Sequence, residues 1–279
     1  MTIGTALRQG TELLEEARIP AARLTAEVLL MHALQCERIH LYAHSKDELS
    51  ELGWIHFGRY LHERMQGKPT QYITKRQEFY GRMFRVSPAV LIPRPETEHV
   101  VETVLRLAPD ARTIADIGCG SGAIAVTLSL ELPQAHVTGT DISAAALEVA
   151  VRNAAALQAS TTFVQCDLCA ALKAQSLDVL ASNPPYVPSS DEPELQPEVR
   201  DFEPAVALYG GPTGNEMYAR IIPEAERLLK PGGWLVFELG YRSLDPVKAM
   251  LGPQWTDIET VTDLAGYPRV LAARYLRNT

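Results

Sequence analysis

The chain has 279 residues, 46% of them hydrophobic, and 26 Lys and Arg against 34 Asp and Glu leave a net charge of -8. That length suits one large domain or two smaller ones with a sizeable core, and the acidic balance argues against a dedicated DNA-binding protein, which carries a basic footprint. No stretch approaches the roughly 18 consecutive apolar residues of a membrane span, and residues 1–8 lack the basic start and apolar core of a signal peptide.

Residues 2–67 read as helical throughout. Leu7, Leu13, Leu14 and Ala17 recur at helical spacing, and Pro20 precedes a second helix. Ser45-Lys46-Asp47-Glu48 has the form of a capping box, predicting a helix that buries Leu49, Leu52, Ile55 and Leu61 and stops at Gly67, with Pro69 beyond. Five histidines fall here (His32, His40, His44, His56 and His62), none at metal-ligand spacing. Residues 59–85 carry Arg59, Arg64, Lys68, Lys75, Arg76, Arg82 and Arg85 against Glu63 and Glu78, a basic region in an acidic chain.

From Gln71 to Val86 the β-formers Tyr72, Ile73, Phe79, Tyr80, Phe84 and Val86 surround Tyr80-Gly81, which predicts a linking hairpin. Three regions follow: a helical domain over 1–70, a β-hairpin linker over 71–92 and a larger domain over 93–279. Pro93 and Pro95 pin the entry to a helix through Val100, Val101, Val104 and Leu105. Beyond Thr113, strands are predicted at 113–117, 137–140, 163–165, 177–182, 234–239 and 269–276, with helices from Ala123 and Ala144 and over 221–229. This alternation implies an α/β fold with a mostly parallel sheet. Cys36, Cys119, Cys166 and Cys169 include one C-x-x-C spacing but no second pair and no suitably spaced His. They read as reduced structural thiols, consistent with a cytoplasmic protein and with no metal site.

Two stretches carry chemistry. Gly118-Cys119-Gly120-Ser121-Gly122 follows a strand and opens a helix, so backbone can approach a ligand closely, and Asp141 ends the next strand, where a carboxylate can grip a ribose. Gly118, Gly120 and Ala123 also satisfy a looser dinucleotide pattern, so the loop alone does not separate a nicotinamide cofactor from S-adenosylmethionine. The second stretch, Asn183-Pro184-Pro185-Tyr186, ends a short apolar strand. Both prolines lack an N–H and force the chain out of the sheet. An amide or exocyclic amine offers two N–H donors. The Asn183 side-chain oxygen and the Pro184 carbonyl can accept both, while Tyr186 stacks on the flat group. Methyl transfer to nitrogen needs such a pair and hydride transfer does not. Direct displacement needs positioning above all, with no metal and no general base beforehand.

Asp116-Ile117-Gly118-Cys119-Gly120-Ser121-Gly122, Asp141 and Asn183-Pro184-Pro185-Tyr186 together resemble a class I S-adenosylmethionine-dependent methyltransferase, with a Rossmann-like, mostly parallel seven-stranded sheet. Leu91-Ile92-Pro93-Arg94-Pro95-Glu96-Thr97-Glu98 and Phe202-Glu203-Pro204-Ala205 narrow the resemblance to the HemK/PrmC family, over nearly the whole chain. Those enzymes methylate N5 of the glutamine in the Gly-Gly-Gln motif of peptide chain release factors and so modulate translation termination. The resemblance implies S-adenosylmethionine bound by Gly118, Cys119, Gly120, Ser121, Gly122, Asp141, Asp167, Leu168 and Asn183, and released as S-adenosylhomocysteine. It implies a substrate glutamine held by Asn183, Pro184, Pro185 and Tyr186, with Asn183, Pro184 and Tyr186 carrying catalysis. It also implies a helical N-terminal domain that grips the release factor, to which the basic region would contribute.

Three other readings compete. The chemistry is retained if the acceptor is a ribosomal-protein glutamine, or adenine N6 in nucleic acid, which the acidic charge disfavours. A non-catalytic adaptor would keep the helical module and leave the sheet domain inert.

Overall fold

A computed structural model describes residues 1–276. Contacts divide it into two units, Met1–Arg76 together with Gln196–Phe202, and Gln77–Leu195 together with the chain from Glu203 onward.

The first unit is helical. α1 (Ile3–Glu16), α2 (Ala22–Leu34), α3 (Arg38–Ala43), α4 (Glu51–Met65) and α5 (Thr70–Thr74) enclose a core of Ile3, Leu7, Leu14, Leu29, Leu30, Leu41, Phe57 and Leu61. The capping box expected at Ser45 is not formed. Residues 45–49 instead pair with the start of the chain: Ile3 N donates to Asp47 O at 3.0 Å, Gly4 N to Ser45 O at 2.8 Å, and Leu49 N to Met1 O at 2.8 Å. With that backbone occupied, α4 starts later, capped by Ser50, whose Oγ accepts from Gly53 N at 3.1 Å. The shift turns the helix: Gly53, Phe57, Leu61 and Arg64 face inward, and the expected core residues Leu52 and Ile55 are exposed. Leu13 of α1 is also exposed. Tyr72 and Ile73, expected in the hairpin, are buried in α5.

The basic region is partly neutralised. Arg64 is buried and pairs with Glu198, while Lys68 pairs with Glu63 and Arg82 with Glu131.

In the second unit the hairpin comes first. β1 (Arg76–Phe79) and β2 (Arg82–Arg85) join through Tyr80 and Gly81, both at positive φ (51° and 67°), a turn that glycine eases. Phe79 and Phe84 pack edge to face in the core of the sheet domain. Then follow α6 (Glu98–Leu107), β3 (Thr113–Ile117), α7 (Ala123–Glu131), β4 (His136–Asp141), α8 (Ala144–Leu157), β5 (Thr161–Gln165), β6 (Leu177–Ser182) and β7 (Val187–Pro188). α9 (Pro197–Phe202) lies in the helical unit, and the chain returns through α10 (Ala205–Leu208), β8 (Tyr209–Gly211), α11 (Glu216–Leu228), β9 (Leu229–Glu238), α12 (Leu244–Met250), β10 (Trp255–Thr262) and β11 (Pro268–Tyr275).

The main sheet has seven strands in the order β10-β11-β9-β6-β3-β4-β5. β9, β6, β3, β4 and β5 run parallel; β11 is antiparallel to β9 and β10. This is the expected α/β architecture. β10 was not anticipated, because it is an edge strand carrying Asp257 and Glu259, with a register shift between Thr256 and Glu259, and so lacks alternation. α11 begins at Glu216, earlier than expected. Strand order reverses between β3 and β6, which leaves a crevice at their C-terminal ends. α6, α7 and α8 contribute one core layer; α11 and α12 contribute a second. No helix among the described residues is long and apolar enough to cross a membrane.

Asn153, buried in α8, ties hairpin to glycine loop. Its Oδ1 accepts from Arg85 N at 2.8 Å, and its Nδ2 donates to Arg85 O at 3.0 Å and Ser121 O at 2.9 Å. Asn153→Ala leaves these buried groups unpaired and is expected to cost about 3 kcal/mol of stability, measured by urea unfolding.

Candidate active site

β3 ends at the crevice with three glycines at φ values of +69°, +54° and +80° (Gly118, Gly120 and Gly122), the left-handed turns that bring backbone round to open α7. They differ in what they face. A Cβ on Gly118 or Gly120 would meet nothing within 4 Å, whereas one on Gly122 would press on Ala150 and Val126. The first two therefore keep backbone open, and the third lets α7 pack against α8.

A cavity of about 280 Å³ lies over this loop. Its walls take in Gly118, Cys119, Gly120, Ser121, Asp141, Asp167 and Leu168 of the expected cofactor residues, and Asn183 and Pro185 of the expected substrate residues. Gly122, Pro184 and Tyr186 do not line it. Asp141 Oδ2 accepts from Gly120 N and its Oδ1 from Ser143 N, both at 2.9 Å, leaving each oxygen a further lone pair. Asp167 is paired with Arg220 of α11 at 2.7 Å, and both border the cavity. The Leu168 carbonyl accepts from Thr140 Oγ1 at 2.6 Å, fixing that stretch in place. Burial pushes the Cys119 thiol well up and the Cys169 thiol to about 12, as expected of inert structural thiols. All four cysteines are free, and no group of three or more His, Cys, Asp or Glu among the described residues converges as a metal site would.

The Asn183 motif is held from two sides. Below it, a Cβ on Gly210 would stand 2.4 Å from Pro185 O and one on Gly214 2.3 Å from Tyr186 O, so only glycine admits this approach. From the sheet, Glu238 at the end of β9 reaches toward the motif. Its Oε1 accepts from Tyr186 OH at 3.0 Å and its Oε2 from Thr97 Oγ1 at 2.5 Å, and Asn183 Nδ2 lies 3.1 Å from that same Thr97 oxygen. Burial raises the Glu238 pKa, opposed by the Thr97 and Tyr186 hydrogen bonds, and burial beside Glu238 pushes the Tyr186 phenol well up. The Tyr186 hydroxyl is thus spent on Glu238, and its ring packs against the core layer of α11 and α12.

Chain-wide similarity agrees with this geometry. Residues 5–74 match the family model of the PrmC N-terminal domain, and residues 97–196 match that of the methyltransferase small domain. A release factor glutamine methyltransferase of Koribacter versatilis is 45% identical over 277 residues, covering 98% of this chain and 99% of that protein. One of Geobacter sulfurreducens is 42% identical over 262 residues, covering 94% and 92%. The chain belongs to the release factor glutamine methyltransferase family. Solved structures share its fold at lower identity. A methyltransferase from Pyrococcus furiosus aligns with TM-score 0.54 at 18% identity over 71% of this chain and 91% of its own. The Thermus thermophilus 16S rRNA N2 G1207 methyltransferase gives 0.52 at 20%, over 72% and 50%.

Sequence reasoning missed Thr97, Glu238 and the role of Glu203. Glu203 Oε2 accepts from Ile92 N at 3.0 Å and Oε1 holds the Arg94 guanidinium, so this buried carboxylate shapes the stretch that forms the cavity's edge at Leu91 and Pro93. Glu238 had a readable signal. A carboxylate inside the apolar run Leu235-Val236-Phe237-Glu238-Leu239 has to find partners when the strand is buried.

Asp116, fully buried near the end of β3 and among the residues that border the cavity, accepts from Ala125 N at 3.0 Å through Oδ2, while Oδ1 has no hydrogen-bond partner. Burial pushes its carboxyl up to about 7 from 3.8. The folded chain therefore keeps the proton through a range where the unfolded chain has lost it. Stability from this group is fully present below 3.8 and declines by about 1.4 kcal/mol per pH unit until the folded carboxyl ionises near 7. Asp116→Asn removes the titration, so its stability relative to the ligand-free parent is expected to rise from pH 4 to 7 and level off above. Urea unfolding across that range checks this, and a constant difference would contradict it.

Proposed function

We propose that this chain transfers a methyl group from S-adenosylmethionine to the side-chain amide nitrogen, N5, of the glutamine in the Gly-Gly-Gln motif of peptide chain release factors. The reaction takes place in the cytoplasm and modulates translation termination. One observation carries the acceptor chemistry: Asn183, at a strand end and braced through Thr97, borders the same cavity as the glycine loop.

The residues present fit the cofactor. Gly118 and Gly120 leave backbone open to the cavity, Asp141 keeps free lone pairs for a ribose diol, and Asp116, a residue of the cavity wall, has an unpartnered buried oxygen. Gly118, Cys119, Gly120, Ser121 and Gly122 form the cradle for the methionine part, Asp141 holds the ribose, and Asp167 and Leu168 flank the adenine. S-adenosylmethionine supplies the electrophilic methyl group when bound. The chain's own part is positional. Asn183 Oδ1 and Pro184 O accept the two amide N–H groups and hold the nitrogen in place. Pro185 closes the wall, and Tyr186, anchored on Glu238, holds the turn that carries these groups. Hydrogen-bond acceptors favour the positive charge that develops on nitrogen, and the surplus proton leaves to water afterwards.

Methyl transfer from labelled S-adenosylmethionine to a purified release factor tests the reading. Label is expected on the wild-type factor and none on one whose Gly-Gly-Gln glutamine is changed to alanine. Label on both would move the acceptor elsewhere. Asn183→Ala is expected to lower kcat by about 100-fold or more, the usual effect of removing one group that stabilises a developing charge.

A further inference from the structure

We infer that Thr97 and Glu238 are positioning residues that decide which end of the Asn183 carboxamide faces the substrate. The inference rests on the methyl-transfer reading above and adds two residues to it.

A threonine hydroxyl has one proton to give. The Thr97 oxygen lies 2.5 Å from Glu238 Oε2 and 3.1 Å from Asn183. Glu238 is 1% exposed, and its other oxygen accepts from the Tyr186 phenol, 3.0 Å away. Both Glu238 oxygens are thus approached by hydroxyls, the arrangement of a carboxylate that only accepts, and the Thr97 proton goes to Glu238. The Thr97 oxygen can then only accept from Asn183. Of the two ends of a carboxamide, only the NH2 donates. Nδ2 therefore turns to Thr97, and Oδ1 turns away from it, on a side chain that borders the cavity.

The reversed carboxamide fails twice. It would set Oδ1 against the lone pairs of Thr97 and present an NH2 to a substrate amide that also offers N–H groups. Donor would face donor, and the nitrogen would lose one of its two acceptors. Thr97 and Glu238 take no part in bond making. They act through Asn183, and Glu238 also holds Tyr186 in place from its second oxygen. Each brings a different piece of chain to one point: Thr97 lies in the turn before α6, Asn183 and Tyr186 follow β6, and Glu238 ends β9.

Thr97→Val keeps the shape and removes the hydroxyl; Thr97→Ser restores it. For Thr97→Val, kcat on the release factor is expected to fall about 100-fold, with KM for that factor and affinity for S-adenosylhomocysteine within about threefold of wild type. Thr97→Ser is expected to recover kcat to within about fivefold. A Thr97→Val enzyme within about threefold of wild-type kcat, or a Thr97→Ser enzyme no better than Thr97→Val, would overturn the inference. Neutron diffraction from the deuterium-exchanged wild-type protein gives a second answer that needs no variant to fold and no turnover. One Nδ2 deuteron of Asn183 is expected to point at the Thr97 oxygen, and an Asn183 end without deuterons facing Thr97 would overturn the inference. Failure of the wild-type enzyme to label a release factor would instead strike the functional reading, which the neutron map does not depend on.

Discussion

The site depends on one buried carboxylate. Glu238 sits at the end of a central strand with almost no solvent, and it persists there because two hydroxyls, from Thr97 and Tyr186, donate to its two oxygens. A buried ionised group without such partners would be costly, and a buried group with only one would leave half the cost in place. Meeting that requirement draws the turn before α6 and the Pro-Pro loop after β6 to the end of β9. Asn183 is carried along, because its amide shares the Thr97 oxygen.

The fold supplies what the carboxylate cannot. Reversal of strand order between β3 and β6 opens the crevice, and the left-handed glycines after β3 keep backbone rather than side chains along its floor. Gly210 and Gly214 let a second loop lie against the carbonyls of Pro185 and Tyr186, so the Pro-Pro turn is gripped by main chain on one side and by Glu238 on the other. Rigidity of this sort suits a reaction whose demand on the protein is alignment more than proton transfer.

Much of this was legible in the sequence because it depends on local backbone chemistry. Glycines between a strand and a helix, a carboxylate at the next strand end, and asparagine before two prolines each constrain their own neighbourhood. The parallel sheet followed from alternation, and the hairpin from Tyr80-Gly81. The capping box at Ser45 failed for a non-local reason: the start of the chain pairs with residues 45–49, and nothing near Ser45 announces it. The edge strand Trp255–Thr262 escaped because its outward charges and irregular register erase the alternation that marks a strand. Thr97 and Glu238 escaped because they lie 141 positions apart, and their meeting is a property of the tertiary fold. Glu238 was the more readable of the two, as a charge in an apolar run.

The most direct test of the account is a crystal structure of the enzyme with S-adenosylhomocysteine and a release factor bound. The account predicts that the amide nitrogen of the Gly-Gly-Gln glutamine donates to Asn183 Oδ1 and to Pro184 O, at ordinary hydrogen-bond lengths of about 2.9 Å. It also predicts that Thr97 and Glu238 keep the contacts they have in the free chain. A glutamine seated away from Asn183, or an Asn183 side chain turned with its NH2 toward the substrate, would contradict it.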